Sequence, residues 1–331
     1  MNFNINSGWG PYHLGSVPPR ITGKIFLVAK SGVANRNIAS DLFRDDPEGD
    51  AKIFATLDAA VSACTANAGD LIYVAPGHTE SISSATALVL DVAGVKIIGL
   101  GEESTRGTLT LNTATTATII VSANDVTIEN LNIDLTGINA VDVGFTVSGN
   151  NFTLKDCLIT TANLTSQCVL PMSIGLRANH PVILNCEFMG TVDNRNFTGT
   201  TTVIRFNGSD RPVIKNSIFV GAYLAATGAI EMVRGVPCTN INFENNFFYN
   251  KTIDSTTCIV GSPYITSAMG ITGILRNNLL RINLDGSGSW LLNIDSQSVF
   301  GFGNCALIQN YGVNASGENG VVLGKTSYWG G

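Results

Sequence analysis

The chain has 331 residues, 44% of them hydrophobic and only 13% charged, with a formal net charge of -6. That balance excludes the basic footprint of a nucleic-acid binder, and no apolar run is long enough to span a membrane. Length alone allows two domains, but it also suits one long repeat array.

Residues 1–24 read as an extended arm with no sustained periodicity. They carry Gly8, Gly10, Pro11, Gly15, Pro18 and Pro19, yet also Phe3, Trp9, Tyr12 and Leu14. Aromatic residues in a coreless segment predict docking, on the arm's own subunit or on another protein. Met1-Asn2-Phe3-Asn4 lacks a basic and an apolar region, so no signal peptide is expected. Seven cysteines without a CxxC pair predict reduced, buried thiols rather than a disulfide framework.

The stretch 25–84 reads as an N-terminal strand and a capping helix. Lys24–Ala29 is the strand. An acidic loop, Asp45-Asp46-Pro47-Glu48-Gly49-Asp50, lacks the spacing of an EF-hand calcium loop, so no metal is assigned to it. Phe54, Leu57, Val61, Cys64 and Ala68 recur at helical spacing and predict a helix over 54–68, stopped near Gly69. Leu71–Gly77 follows as a short strand ending in a turn.

From about residue 85 to 310 the chain repeats. The clearest copies are Pro181-Val182-Ile183-Leu184-Asn185-Cys186-Glu187-Phe188 and Pro212-Val213-Ile214-Lys215-Asn216-Ser217-Ile218-Phe219. A corner residue recurs at Asn130, Asp156, Asn185, Asn216, Asn245 and Asn277, at steps of 26, 29, 31, 29 and 32 residues. Asparagine suits this place because it tolerates a left-handed bend and can bond to neighbours above and below. Two places before the corner lie Ile128, Leu154, Ile183, Ile214, Phe243 and Leu275. Three places after it lie Ile133, Ile159, Phe188, Phe219, Phe248 and Leu280. Both columns are apolar and predict an interior. The column one place before the corner, with Glu129, Lys155, Lys215, Glu244 and Arg276, predicts a solvent face. The pattern predicts an all-β, single-stranded parallel β-helix of about 8–10 rungs, roughly 40–50 Å long at the strand spacing of stacked chains. Residues 311–331 form a Gly-rich C-terminal segment.

Phe54-Ala55-Thr56-Leu57-Asp58-Ala59-Ala60-Val61, followed by Gly69-Asp70-Leu71-Ile72-Tyr73-Val74-Ala75-Pro76-Gly77, resembles the N-terminal cap of right-handed parallel β-helix proteins of the pectate-lyase-like superfamily. The Val-x-Ile-x-Asn rungs are similar to the same family. The resemblance spans roughly residues 24–310 and implies the right-handed fold more firmly than it implies a function. The family contains pectin-cleaving enzymes, glycosidases and bacteriophage virion proteins, often trimeric.

Polysaccharide cleavage by the family needs carboxylates in one place. The low-ranking catalytic candidates are Glu187 and Asp193, which share no column with Asp210 or Glu231. Arg177, Arg205 and Arg234 precede successive corners at unequal offsets. No zinc or lipase-type motif is present, no cofactor is expected, and His13, His78 and His180 are widely spread, the latter two at turns. A stronger signal lies two places after each corner, where Leu158, Ile218, Phe247 and Leu279 make an outward apolar row. Such a row predicts an interface, and cyclic symmetry would close it into a homotrimer. Taken with the family resemblance, these features lead to the expectation of a structural, non-enzymatic bacteriophage protein. It would be a capsid decoration protein or short head fibre, held to the major capsid protein or another virion protein by residues 1–24. It would be assembled in the host cytoplasm and located in the virion. The alternative is a tailspike-like protein that binds or cleaves a bacterial surface glycan beside the loops Thr191–Gly199 and Asp254–Gly270.

Overall fold

A computed structural model describes residues 23–30, 52–163, 165–176, 178–190, 202–221, 229–233, 236–250, 260–261, 270–284, 292–293, 299–302 and 305–310. Its strands stack into three long sheets of 11, 9 and 8 strands. One coil shows the path. Thr127–Glu129 lies in the first sheet, Asn132–Asp134 in the second and Val141–Val147 in the third. The chain then returns to the first sheet one level on, at Thr153–Lys155. Strands of successive coils pair parallel and in register, with Ile128, Leu154, Ile183, Ile214, Phe243 and Leu275 in one inward row. This is the expected all-β parallel β-helix.

The stack begins before residue 85. Ile25–Val28 already sits in the first sheet between Ile53–Phe54 and Leu71–Val74. Thr79–Ile82 and Val89–Leu90 open the second and third sheets. The α-helix is shorter than its periodicity suggested, covering Leu57–Ser62. Phe54 is a strand residue paired with Val28. Thr56 caps the helix by accepting from the Ala59 N–H at 3.4 Å. At the other end the buried Asp70 carboxylate accepts from the Thr65 and Lys24 N–H groups, both at 2.6 Å, and Asn67 turns left-handed with φ 60°. Those bonds compete with further helix, so the apolar spacing beyond Ser62 is met by turns. Leu57, Ala60 and Val61 are buried against the first coils, which closes this end of the core.

The corners behave as the sequence requires. Asn130, Asp156, Asn185, Asn216, Asn245 and Asn277 have φ between 51° and 58°. Their side chains form an outer ladder. Asn185 donates to Asp156 at 2.9 Å, Asn216 to Asn185 at 3.2 Å and Asn245 to Asn216 at 3.3 Å. In the first coils Gly99 occupies this column. A Cβ there would strike the Asn130 carbonyl oxygen, while the Asn130 amide donates to the Gly99 carbonyl at 2.8 Å.

A second ladder runs along the edge between the third and first sheets. Asp125, Asn151, His180, Arg211 and Asn240 turn there with φ of 53–59°. Asn124, Asn150 and Asn179 each accept, through the side-chain oxygen, from the backbone N–H one coil on, at 2.8–2.9 Å. Asp210 ends the series, bonded by the Thr239 hydroxyl at 2.6 Å, the Asn240 amide at 2.9 Å and Arg211 Nε at 2.9 Å. These bonds hold its carboxyl well below its ordinary range.

A third ladder is internal. One place after the corner the residues are Leu131, Cys157, Cys186, Ser217, Asn246 and Asn278, all buried. The column passes from apolar to polar along the stack. Ser217 accepts from the Cys186 N–H at 3.2 Å, Asn246 from the Ser217 N–H at 3.0 Å, and Asn278 from the Asn246 N–H at 3.1 Å. Asn246 also donates to the Ile214 carbonyl and to Asn278, both at 2.9 Å. Asn246→Ala would leave two buried polar groups, the Ser217 N–H and the Ile214 carbonyl, without their side-chain partner in a dry interior. It is expected to cost about 3 kcal/mol at 1–3 kcal/mol per unsatisfied group, read as a lower guanidinium midpoint.

Candidate functional site

The second sheet carries the surface on which the functional reading turns. Its central residues, Ile133, Ile159, Phe188, Phe219 and Phe248, point inward and are buried. Strand alternation therefore places two rows outward. The first row is Thr108, Asn132, Leu158, Glu187, Ile218, Phe247 and Leu279. The second is Thr110, Asp134, Thr160, Met189, Val220 and Tyr249. The first coils are polar in both rows. From Leu158 to Leu279 and from Met189 to Tyr249 the rows are apolar, broken by Glu187, and the next register position after Tyr249 is Arg281.

The sequence marked only the first row as an exposed stripe. In the structure Leu158, Ile218, Phe247 and Leu279 are outward but half-buried. The Phe247 and Tyr249 rings lie 6.5 Å apart, and Val220 is 8% exposed. Met189, Val220 and Tyr249 were missed, although reading two residues further along each strand identifies them.

At the polar end the face forms a groove of about 380 Å³, lined by Thr108, Asn132, Ile133, Asp134, Thr136, Leu158, Thr160 and Asn163. Asp134 Oδ1 accepts from the Thr136 N–H at 2.9 Å and the Thr136 hydroxyl at 2.5 Å. Asn163 Nδ2 donates to that hydroxyl at 2.8 Å. Loop Thr191–Gly199 and most of Asp254–Gly270 lie outside the described residues, as do Asp193, Arg177, Arg234, the acidic loop at 45–50 and residues 1–22.

The remaining candidates do not converge. Glu187 is exposed, and its register partners are Leu158 and Ile218. Arg205 and Glu231 are register partners on the outer face of the third sheet, with Arg205 Nε 2.6 Å from a Glu231 oxygen. Glu129 bridges Lys96 at 2.9 Å and Lys155 at 2.8 Å on the first sheet. Burial alone would raise its pKa, but hydrogen bonds from the two lysines outweigh that and lower it. Such partly exposed pairs add little stability. His78 is fully buried. Its Nδ1 accepts from the Lys30 N–H at 3.2 Å and its Nε2 lies 3.3 Å from Glu80, whose carboxylate also accepts from the Leu57 N–H at 2.8 Å. This places His78 in the cap. His180 is a corner residue, 3.0 Å from the Asn151 side-chain oxygen.

Cys64, Cys157, Cys168, Cys186 and Cys238 are free thiols. Burial pushes Cys157 and Cys168 up to about 12 and Cys186 well above its ordinary value, which leaves them unreactive. Among the described residues no three His, Cys, Asp or Glu side chains gather as a metal site.

No family model matches the chain, and no curated protein matches it. Solved structures of pectin methylesterases align with it. The deglycosylated Aspergillus niger enzyme aligns over 94% of this chain and 96% of its own at 14% identity, with a TM-score of 0.42. A pectin methylesterase in complex with a hexasaccharide aligns over 78% of this chain and 80% of its own at 15% identity, with a TM-score of 0.38. Likeness at that level carries no functional argument. The chain is an all-β parallel β-solenoid whose structural neighbours are pectin methylesterases.

Proposed function

We propose that this chain is a non-enzymatic structural protein of a bacteriophage virion. It assembles side by side as a homotrimer and is held to the major capsid protein or another virion protein by residues 1–24. One observation carries the assembly part: two adjacent outward rows, Leu158, Ile218, Phe247 and Leu279 beside Met189, Val220 and Tyr249, make one long apolar face. A prism with such a face along part of its length suits association of identical copies. The ladders at its corners suit a rigid spacer. The phage assignment rests on the likeness of the rungs and cap to virion β-helices, which is an argument by analogy.

Cosedimentation with phage heads tests the attachment. Full-length protein is expected to be recovered at a fixed ratio to capsid, and a version without residues 1–24 is expected to stay in the supernatant. Equal recovery of the two would remove the arm from the account. Release of reducing sugar from bacterial glycans, lost in Glu187→Gln or Asp193→Asn, would instead establish the tailspike reading.

A further inference from the structure

The two ends of the stack are closed differently. At one end the helix Leu57–Ser62 covers the first coils. At the other the three long sheets finish in Cys305–Asn310, Leu292–Asn293 and Val299–Phe302, and among the described residues no strand pairs beyond them. An edge strand carries a row of backbone N–H and C=O groups that templates a further strand. Every coil passes from the second sheet to the third, and Cys305–Asn310 lies in the second. Residues 311–331, outside the described residues, follow it directly. Third-sheet strands share a short signature. Ile204-Arg205-Phe206 and Ile230-Glu231-Met232 are in register, with their apolar residues fully buried around one outward residue. The step from the second row of the second sheet to the first buried place of this signature is 9 residues at its shortest, Thr110 to Ile119. It is 15 at its longest, Met189 to Ile204. Leu307 holds the same second-row register through Arg281 and Tyr249, so the next third-sheet strand is due to start within residues 316–322. Only Val321 in that window starts the signature, as Val321-Val322-Leu323 between Gly320 and Gly324.

We propose that residues 321–323 add a strand to the third sheet, parallel to Leu292–Asn293 and one coil beyond it. Val321 and Leu323 continue the inward rows of Ile230 and Met232, and Val322 takes the outward place held by Arg205 and Glu231. The occupant of this edge is the chain's own segment rather than a second copy. Ten residues join Asn310 to Val321. So short a tether keeps the strand beside the edge at an effective concentration on the order of 1 mM. The joining residues, with Gly312, Gly317 and Gly320, have the composition of a loop. The added strand pairs an edge that could otherwise take a strand from another molecule. This pairing is independent of the apolar face of the second sheet.

Amide hydrogen exchange of the full chain, read by NMR, tests this. At least one of the Val321, Val322 and Leu323 amides is expected to exchange on the order of a hundredfold more slowly than in an unstructured peptide. Val321→Asp sets a charge at an inward place and is expected to return these amides to the unstructured rate. Val322→Asp sets the same charge one residue on, at an outward place, and is expected to keep the slow exchange. Opposite outcomes at adjacent residues follow from strand alternation and cannot come from misfolding. The amides of Ile218–Gly221 are expected to stay protected in both variants, which reports an intact stack. Exchange of residues 321–323 at the unstructured rate in the native chain would overturn the proposal, as would equal exchange in the two variants. Protection that fades on dilution would give the edge to a second copy and overturn the pairing within one chain.

Discussion

Phe219→Ala is expected to destabilise the chain by about 3–5 kcal/mol, the usual cost of removing a buried phenylalanine. Phe219 is fully buried and stacks on both sides. Its ring lies 4.9 Å from Phe188 at an interplanar angle of 4° and 4.7 Å from Phe248 at 7°. Parallel in-register strands hold the rings one above another, so the coil spacing sets their separation. The cavity left by alanine cannot close without shifting two neighbouring coils, which the outer and inner asparagine ladders resist. Denaturant unfolding followed by far-UV circular dichroism reads the loss. A change below about 1 kcal/mol would mean that the coils relax freely around this column.

Phe247→Asp is expected to have the second large effect, on assembly rather than folding. The side chain points away from the core, is half-buried among its row neighbours and packs near Tyr249. Its register partners are Ile218 and Leu279. Aspartate can stay hydrated there in an isolated prism. In a face-to-face association the same carboxylate loses its water without gaining a partner, and truncating or mispairing a buried charge costs several kcal/mol. The coil itself keeps its inward Phe248 and its hydrogen bonds to neighbouring strands.

Much of the fold was legible because stacked coils repeat the same physical demand at a fixed step. Every copy needs a left-handed corner, so asparagine or aspartate recurs. Every copy needs an apolar residue two before and three after that corner, so Ile183 and Phe188 have counterparts throughout. The second edge ladder was harder to see. Its turns are made by Asp125, Asn151, His180, Arg211 and Asn240, five residues before each corner, and the residue type varies because only the backbone bend is shared. The internal ladder was hidden differently. Asn246 and Asn278 read as the second members of Asn-Asn pairs, and only burial shows that one asparagine faces water while the next faces the core. The helix was overread because Cys64 and Ala68 continue an apolar spacing that Asp70 prevents the backbone from following.

The candidate site was half legible. The row containing Leu158 and Phe247 follows from counting two past the corner. The neighbouring row of Met189, Val220 and Tyr249 follows from the same count carried two residues further along each strand. The groove was not foreseen, since Asn163 reaches Thr136 across coils from a loop without repeat character. Asp134 itself stands two places beyond a row residue and looks like any solvated strand carboxylate.

The central claim is that this chain works as an assembled prism joined through the outer face of the second sheet. Sedimentation velocity of the native protein beside Phe247→Asp tests it most directly. A native species at three times the chain mass, with the variant at one chain mass and an unchanged circular dichroism spectrum, is the predicted result. A native protein that sediments as a single chain, or a variant that keeps the native mass, would contradict it.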